Sequence, residues 1–116
     1  MKALLNLLFV CSKNQWRSPT AERIYQDPPN LNVRSAGISQ SARKLINSID
    51  IHWSDIIFVM ENKHKSYITD HFRDQINNKR LIVLDIPDEY QYMDDELIKW
   101  NRISKRLFAS IYEIKP

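Results

Sequence analysis

The sequence predicts an α/β fold: a single doubly wound domain with a four-stranded parallel sheet flanked by helices. Three observations predict it. Four short runs are almost continuously apolar, which is typical of parallel strands covered on both faces. These runs alternate with stretches predicted to be helical, as in doubly wound sheets. The 116 residues contain no repeat or linker, so residues 1–116 are expected to form one domain.

The apolar runs define the elements in chain order. The predicted strands are Ala3–Val10, Leu31–Arg34, Ile56–Met60 and Arg80–Leu84. The predicted helices are Pro19–Gln26, Ser41–Ser48, Asn62–Phe72 and Asp94–Ile114. The first of these helices stops before the paired prolines Pro28 and Pro29, and the last carries apolar residues at helical intervals. A substrate is expected at the carboxyl edge of the strands, where the first strand ends.

The amino-acid composition indicates which kinds of molecule the protein is expected to bind. A formal charge of +3 and an isoelectric point near 9.1 suit an anionic substrate. The Lys and Arg residues are scattered without a dense basic block, so nucleic acid is not expected as a partner. No apolar run approaches the roughly 20 residues that span a bilayer, so no membrane partner is expected. The N-terminal apolar run lacks a cleavage site and is interpreted as a core strand, not a signal peptide.

The chain contains one cysteine. A single cysteine excludes an internal disulfide framework and is compatible with a reducing compartment, so a cytoplasmic location is expected. His52, His64 and His71 show no spacing typical of metal ligands. They are predicted to be structural or exposed, and no metal or cofactor is expected.

The most informative segment is Val10–Pro19, with the sequence VCSKNQWRSP. Cys11 and Arg17 enclose five residues in it, between an apolar strand and a predicted helix start, where Ser18 can cap and Pro19 suits the first position. Backbone N–H groups and the helix N-terminus can form an anion site in such a loop. The same field would stabilise a thiolate, so Cys11 is predicted to be a nucleophile. Arg17 adds a fork of donors for a tetrahedral oxyanion.

This segment resembles the phosphate-binding loop of the low molecular weight protein tyrosine phosphatases, closest to a shortened, bacterial-type branch. Further matches follow in order at Val33–Gly37, Ala42–Leu45, Trp53–Glu61 and Asp85–Tyr90, so the resemblance covers most of residues 3–92. It implies a cysteine-dependent phosphomonoester hydrolase with the Cys-x5-Arg-Ser loop. Such an enzyme would act on phosphotyrosine or aryl phosphates through a cysteinyl-phosphate intermediate.

The resemblance also implies three catalytic roles. Cys11 attacks phosphorus, Arg17 holds the phosphoryl oxygens, and Asp88 protonates the leaving group. Asp88 matches the acid of the family motif Asp-Pro-Tyr/Phe, although Glu89 replaces the proline here. Asp85 on the same loop is the alternative acid.

Seven residues are predicted to bind the substrate: Ser12, Lys13, Asn14, Gln15, Trp16, Ser18 and Tyr90. Ser18 matches the loop serine that donates to the thiolate. Asn14 matches the residue that takes a left-handed conformation, which Asn tolerates, and Ser35 or Ser39 is expected to bind its side chain. Lys13 replaces the usual loop glycine and would be strained if the position required a positive φ.

Two departures from the family pattern have consequences. Trp16 stands where many members carry a second cysteine, so the reversible disulfide that protects their nucleophile is not expected, and neither is arsenate reduction. Trp16 is instead expected to line a cleft for an aromatic leaving group, together with Tyr90 and Tyr92.

Only Ile38–Ser41 separate two of the matched segments, so a helix and loop of the longer family members are expected to be absent. The thin flank would leave an apolar patch and favour self-association.

Other functions stay open at this point. Gln15 is polar where phosphotyrosine-specific members often carry an apolar residue, which leaves a phosphoarginine or small-metabolite phosphatase as an alternative. A second alternative is a weakly active phosphate-binding interaction module, in which Lys13 and the lost proline have weakened catalysis. In each case the expected partner is a phosphorylated molecule, either a protein or a small substrate.

Overall fold

The computed structural model describes residues 5–25, 31–77, 79–86, 93, 95, 98–99 and 101–102. Within these residues four parallel strands form one sheet in the spatial order β2-β1-β3-β4. The strands are β1 (Leu5–Cys11), β2 (Leu31–Gly37), β3 (Ile56–Val59) and β4 (Arg80–Val83). The predicted α/β class and the four-stranded parallel sheet are therefore confirmed.

The helices differ from the prediction in one place. They are α1 (Arg17–Tyr25), α2 (Ser48–Trp53) and α3 (Asn62–His71), followed by a short 3-10 helix at Arg73–Gln75. The helix predicted over Ser41–Ser48 is wrong, because residues 38–47 form turns and one isolated bridge before α2 begins. The helix predicted over Asp94–Ile114 lies largely outside the described residues, although residues 95, 98–99 and 101–102 are helical.

Both faces of the sheet are covered because alternate residues of β1 point to opposite sides. Leu7 and Phe9 belong to one buried cluster, and Leu8 and Val10 belong to another. Phe9 stacks on Phe58 with ring centroids 5.0 Å apart. Helix α1 contributes to the first cluster, while α2 and α3 contribute to the second. This arrangement explains why β1 and β3 are nearly uniform in apolar residues.

The topology brings one loop to the centre of the sheet edge. Strand β1 lies between β2 and β3, and its last residue, Cys11, pairs with Gly37 at the end of β2. Connections leave β1 toward one side of the sheet and β3 toward the other, which opens a crevice at the carboxyl edge. The loop that follows Cys11 lies at this position.

The flank next to α2 carries two exposed apolar side chains. Leu45 is 38% exposed and Ile49 is 72% exposed. Both follow the shortened segment Ile38–Ser41, next to which the sequence predicts thin cover. Among the described helices, none is both long and apolar enough to cross a membrane.

Candidate active site

The thiol of Cys11 lies at the base of a cavity of about 190 Å³. Its Sγ is 3.0 Å from the Ser18 hydroxyl and accepts the backbone N–H of Asn14 at 3.2 Å. The Ser18 hydroxyl accepts the Asn14 Nδ2 group at 2.9 Å. Its own proton therefore points to Sγ, since the competing carbonyl of Ala36 is farther away, at 3.4 Å. Two donors are therefore directed at sulfur, where they can stabilise negative charge.

Ser18 thus has a different role from the predicted helix cap. Helix α1 begins at Arg17, so Ser18 lies inside its first turn. The Ser18 hydroxyl is buried and bonds to the thiol and to Asn14. The role that the resemblance implies for this serine, donation to the nucleophile, agrees with this geometry.

The loop after Cys11 is held from outside by the segment 38–43. Three of its carbonyls accept main-chain N–H groups of that segment: Cys11 from Ile38 at 3.1 Å, Ser12 from Ser39 at 2.9 Å and Lys13 from Arg43 at 2.9 Å. The Arg43 side chain also donates its Nε–H to the Asn14 carbonyl at 3.0 Å. In a trans peptide the N–H points opposite to the preceding carbonyl. The N–H groups of residues 12–15 therefore turn toward the cavity, where they can bind an anion.

Other contacts of the same segment explain why the predicted helix at Ser41–Ser48 does not form. Such a helix would need the Ile46 N–H and the Lys44 carbonyl for its own hydrogen bonds. The Ile46 N–H instead donates to the Gly37 carbonyl at 2.8 Å, and the Lys44 carbonyl accepts the Gly37 N–H at 2.8 Å. The segment therefore folds as turns beside the loop.

Gly37, the single glycine of the chain, allows this close approach. A Cβ atom at this position would lie 2.6 Å from the Ser12 carbonyl oxygen and 2.8 Å from the Ala42 Cβ. It would also lie 3.0 Å from the backbone nitrogen of Asn14. Any side chain here would push the loop away from the segment that supports it.

Asn14 adopts the left-handed conformation that the sequence predicts, with a φ of 56°. Lys13 is not among the positive-φ residues, so the loss of glycine at that position causes no strain of this kind. The expected partner of the Asn14 side chain is wrong, since its Nδ2 bonds to Ser18 and not to Ser35 or Ser39. The Ser35 hydroxyl instead donates to Glu22.

Arg17 is held by residues from two other elements. Its side chain is only 2% exposed, and its Nη1 donates to Glu61 Oε2 at 2.5 Å and to the carbonyl of Ile86 at 2.9 Å. Arg17 also lines the cavity next to Cys11. A guanidinium fixed by a carboxylate and a carbonyl presents its donors in a constant direction.

The sequence analysis did not identify Glu61 as a site residue. The available signal was its position: Glu61 comes two residues after β3, at the same edge of the sheet as Cys11. Burial opposes the ionisation of Glu61, but the hydrogen bond and charge of Arg17, together with Lys63, lower its pKa below the usual 4.5. Glu61 is therefore an anion at neutral pH and stabilises the buried Arg17.

We expect Glu61→Gln to lower the free energy of unfolding at neutral pH, because the buried Arg17 loses the negative charge of Glu61. The pKa of Glu61 is lowered in the folded state. The stabilisation that Glu61 provides is therefore complete above pH 4.5, and it is lost as the pH falls through the pKa of Glu61 in the folded state. Urea unfolding at neutral pH and at steps below 4.5 should show the difference from wild type shrinking. Asp70→Asn, an exposed position of α3, is the control. A difference that stays constant with pH would contradict this role.

His64 connects two parts of the site. It is fully buried, its Nδ1 accepts the backbone N–H of Glu61 at 3.0 Å, and its Nε2 lies 3.1 Å from the Ser12 hydroxyl. Since Nδ1 accepts, the ring proton is on Nε2 and is donated to Ser12. His64 is structural, as predicted, but it also links the loop to the residue that holds Arg17. His52 and His71 are exposed.

The predicted site residues divide into three groups. The cavity is lined by six of them: Cys11, Ser12, Lys13, Gln15, Trp16 and Arg17. Asn14 and Ser18 are buried behind the thiol. Asp88, Tyr90 and Tyr92 lie outside the described residues. The alternative acid Asp85 is exposed and has a φ of 59°. In the part of the chain that the structure describes, no three His, Cys, Asp or Glu side chains are grouped as metal ligands would be.

Comparison with known proteins identifies the fold. No protein-family model and no curated protein matches the sequence. Solved structures do match. The tyrosine phosphatase Wzb from Escherichia coli K30, in complex with phosphate, has a TM-score of 0.77 at 20% identity, over 92% of this chain and 97% of that chain. SP-PTP, a low molecular weight protein tyrosine phosphatase from Streptococcus pyogenes, has a TM-score of 0.76 at 17% identity, over 92% of each chain.

A third matching structure is a phosphatase of a different substrate class. The YwlE arginine phosphatase from Geobacillus stearothermophilus has a TM-score of 0.68 at 19% identity, over 97% of this chain and 98% of that chain. The chain described here therefore has the fold of the low molecular weight protein tyrosine phosphatases, as the resemblance in its sequence implies.

Proposed function

We propose that this protein is a cysteine-dependent phosphomonoester hydrolase, a protein tyrosine phosphatase-like enzyme that acts on phosphotyrosine or aryl phosphates. One observation carries the proposal: the Cys11 sulfur accepts two hydrogen bonds at the base of a cavity. Arg17 and the loop residues line the same cavity. The arrangement provides a nucleophile and a clamp for negative charge in one place. The tyrosine phosphatases of the same fold support it.

In the first step the Cys11 thiolate attacks phosphorus. An S–P bond forms as the P–O bond to the leaving group breaks. The inward N–H groups and Arg17 stabilise the charge on the three equatorial oxygens of the phosphoryl group. The leaving oxygen takes a proton from a general acid, for which we propose Asp88.

In the second step water attacks the cysteinyl phosphate. The new P–O bond forms as the S–P bond breaks, and the thiolate and inorganic phosphate are released. The carboxylate left from the first step accepts the water proton, so the acid regains its proton with each turnover. The Ser18 hydroxyl, 3.0 Å from Sγ, stabilises the departing thiolate. No cofactor takes part in this scheme.

Trp16 supports an aromatic substrate. It lines the cavity and is 40% exposed, so its ring is accessible to an aryl group entering the mouth. Tyr90 is proposed as a second aromatic residue that contacts the aryl group of the substrate. The phosphorylated partner is thus a phosphotyrosine protein or an aryl phosphate.

A phosphoarginine substrate is the second candidate, and Gln15 favours it. The exposed Gln15 lines the cavity, and its amide oxygen can accept a guanidino N–H. The arginine phosphatase of similar fold adds weight to this candidate. The ratio of kcat/KM for phosphoarginine to that for p-nitrophenyl phosphate separates the two.

The proposal also covers domain organisation, cellular location and partners. We propose that residues 1–116 form a single domain, that the enzyme is located in the cytoplasm, and that it binds neither nucleic acid nor membranes. Self-association through the flank that carries Leu45 and Ile49 stays a prediction, as does a weakly active binding module as the alternative to an enzyme.

Hydrolysis of p-nitrophenyl phosphate by wild type and by Cys11→Ser tests the proposed function. Activity that disappears with the thiol supports an enzyme. Phosphate binding without turnover in the wild type would favour the binding module.

Asp88 and Asp85 are the two candidates for the general acid that protonates the leaving group. Ile86 bonds to Arg17 through its carbonyl, and Asp88 follows two residues later, which supports Asp88. Asp85 is exposed in a left-handed conformation, which is typical of a turn. Asp88→Asn should lower kcat by about 10² to 10⁴. The loss should be larger for phenyl phosphate than for p-nitrophenyl phosphate, because a poor leaving group needs the proton more.

Asp85→Asn is the matched control and should give a smaller loss that does not depend on the leaving group. Phosphate binding should stay nearly intact in both variants. If the leaving-group dependence followed Asp85, the assignment of the loop would be wrong. If neither variant showed it, water or an acidic substrate group would be the proton donor.

A further inference from the structure

Lys13 is a cation at the cavity that no described carboxylate neutralises. Its side chain is exposed and lines the cavity, and within the described ranges no carboxylate lies within ion-pair distance of it. Other basic residues differ: Arg17 and Lys63 face Glu61, and Lys44 faces Asp50. The charge of Lys13 is therefore available to a ligand.

The backbone of Lys13 is held by a hydrogen bond, whereas its side chain is exposed to solvent. The Lys13 carbonyl accepts the N–H of Arg43 at 2.9 Å, and its φ is not positive. The loop therefore accommodates this residue in place of glycine without strain. Its ammonium group is a mobile point charge on a flexible stem, at the mouth of a pocket whose base already holds the donors for one phosphoryl group.

We propose that Lys13 makes the site selective for substrates that carry a second anionic group beside the phosphoester. The inference rests on the proposed function. The phosphoryl group occupies the loop N–H groups and Arg17, and Lys13 pairs with the second anion at the rim. That anion is a carboxylate of a residue flanking phosphotyrosine or a second phosphate on a small molecule, since both have the same chemistry toward an ammonium group.

The expected preference is modest because the pair is exposed to water. Exposed ion pairs contribute little binding free energy. The kcat/KM for a substrate with the second anion should therefore exceed that for a substrate without it by about three- to fivefold at low salt. This difference should decline as salt increases, because salt screens exposed charges.

The test uses three phosphotyrosine peptides that differ only in the residues on either side: glutamates, glutamines or lysines. We expect kcat/KM to rank glutamate above glutamine above lysine. Lys13→Ala should bring the three values together, and Lys13→Glu should reverse their order. Lys65→Ala, which removes the same charge from an exposed position of α3, should leave the ranking unchanged. An aryl phosphate with and without a second phosphate forms the other arm and identifies the source of the anion.

Three results would overturn the inference. The first is a wild type that does not rank the peptides by charge. The second is a loss in Lys13→Ala that is equal for all three peptides, because the lysine would then bind the phosphoryl group itself. The third is a ranking that Lys65→Ala changes as much as Lys13→Ala does.

Failure of the proposed function would be visible separately. It would appear as a wild type without turnover of any peptide or of p-nitrophenyl phosphate. In that case the Kd values of labelled peptides for wild type and Lys13→Ala decide the inference: the same ranking, lost with Lys13, supports it, and equal Kd values refute it.

Discussion

Replacing Cys11 by serine should abolish hydrolysis of p-nitrophenyl phosphate, with a loss of about 10⁴-fold or more in kcat, as for other covalent nucleophiles. A serine hydroxyl needs a base to become a nucleophile. The cavity-lining residues in the described part of the chain include no carboxylate and no histidine. Inorganic phosphate should still bind, because the loop N–H groups and Arg17 are unchanged. Steady-state kinetics and a phosphate titration measure the two effects.

Alkylation provides the control for this prediction. Iodoacetamide should inactivate the wild type, and inorganic phosphate should protect it, because Cys11 is the single cysteine and lines the anion cavity. Urea unfolding of Cys11→Ser should establish that the variant is folded. Residual turnover close to wild type, or inactivation that phosphate does not slow, would contradict the assigned nucleophile.

Replacing Arg17 by lysine should remove most of the activity although the charge is kept. The guanidinium donates to Glu61 and to the Ile86 carbonyl through one nitrogen, which leaves its planar fork oriented by two partners. A lysine ammonium is a point charge and cannot hold those partners and a phosphoryl group in the same plane. We expect a loss of about 10² to 10³ in kcat, comparable to removal of an oxyanion donor.

Arg34→Lys is the matched control, since Arg34 pairs with Asp50 and lies over Trp53 instead of lining the cavity. It should change kcat little. Both variants need measured unfolding free energies, because Arg17 is buried. Normal turnover in a folded Arg17→Lys protein would refute the clamp.

Features that depend on neighbouring residues were predictable from the sequence. The strands follow from local apolar runs, which is why their predicted positions differ from the observed bounds by only a few residues. Cys11, Asn14, Arg17 and Ser18 lie within one short segment, so a strand, a loop and a helix start place them together. The left-handed Asn14 was implied by the resemblance of this segment to the family's loop, and Asn tolerates that conformation.

Contacts between distant residues were not predictable in the same way. Glu61 is 44 residues from Arg17, and His64 is 52 residues from Ser12. Apart from the position of Glu61 just after a strand, nothing local in the sequence distinguishes these side chains from surface residues of a helix start. The helix predicted over Ser41–Ser48 is wrong for the same reason, since its helical propensity is overridden by the hydrogen bonds that Lys44 and Ile46 make with Gly37.

The sequence by itself determined the fold class, the positions of the four strands and the short segment that brings Cys11 and Arg17 together. Each of these depends on periodicity or on spacing within about ten residues, over which chain geometry limits the alternatives. Only the tertiary structure decided how the loop is held open: by Gly37, by the N–H groups of residues 38–43 and by Glu61 beside Arg17. The physical reason is that an anion site needs N–H groups turned inward, and their carbonyls must find partners that arrive from elsewhere in the chain.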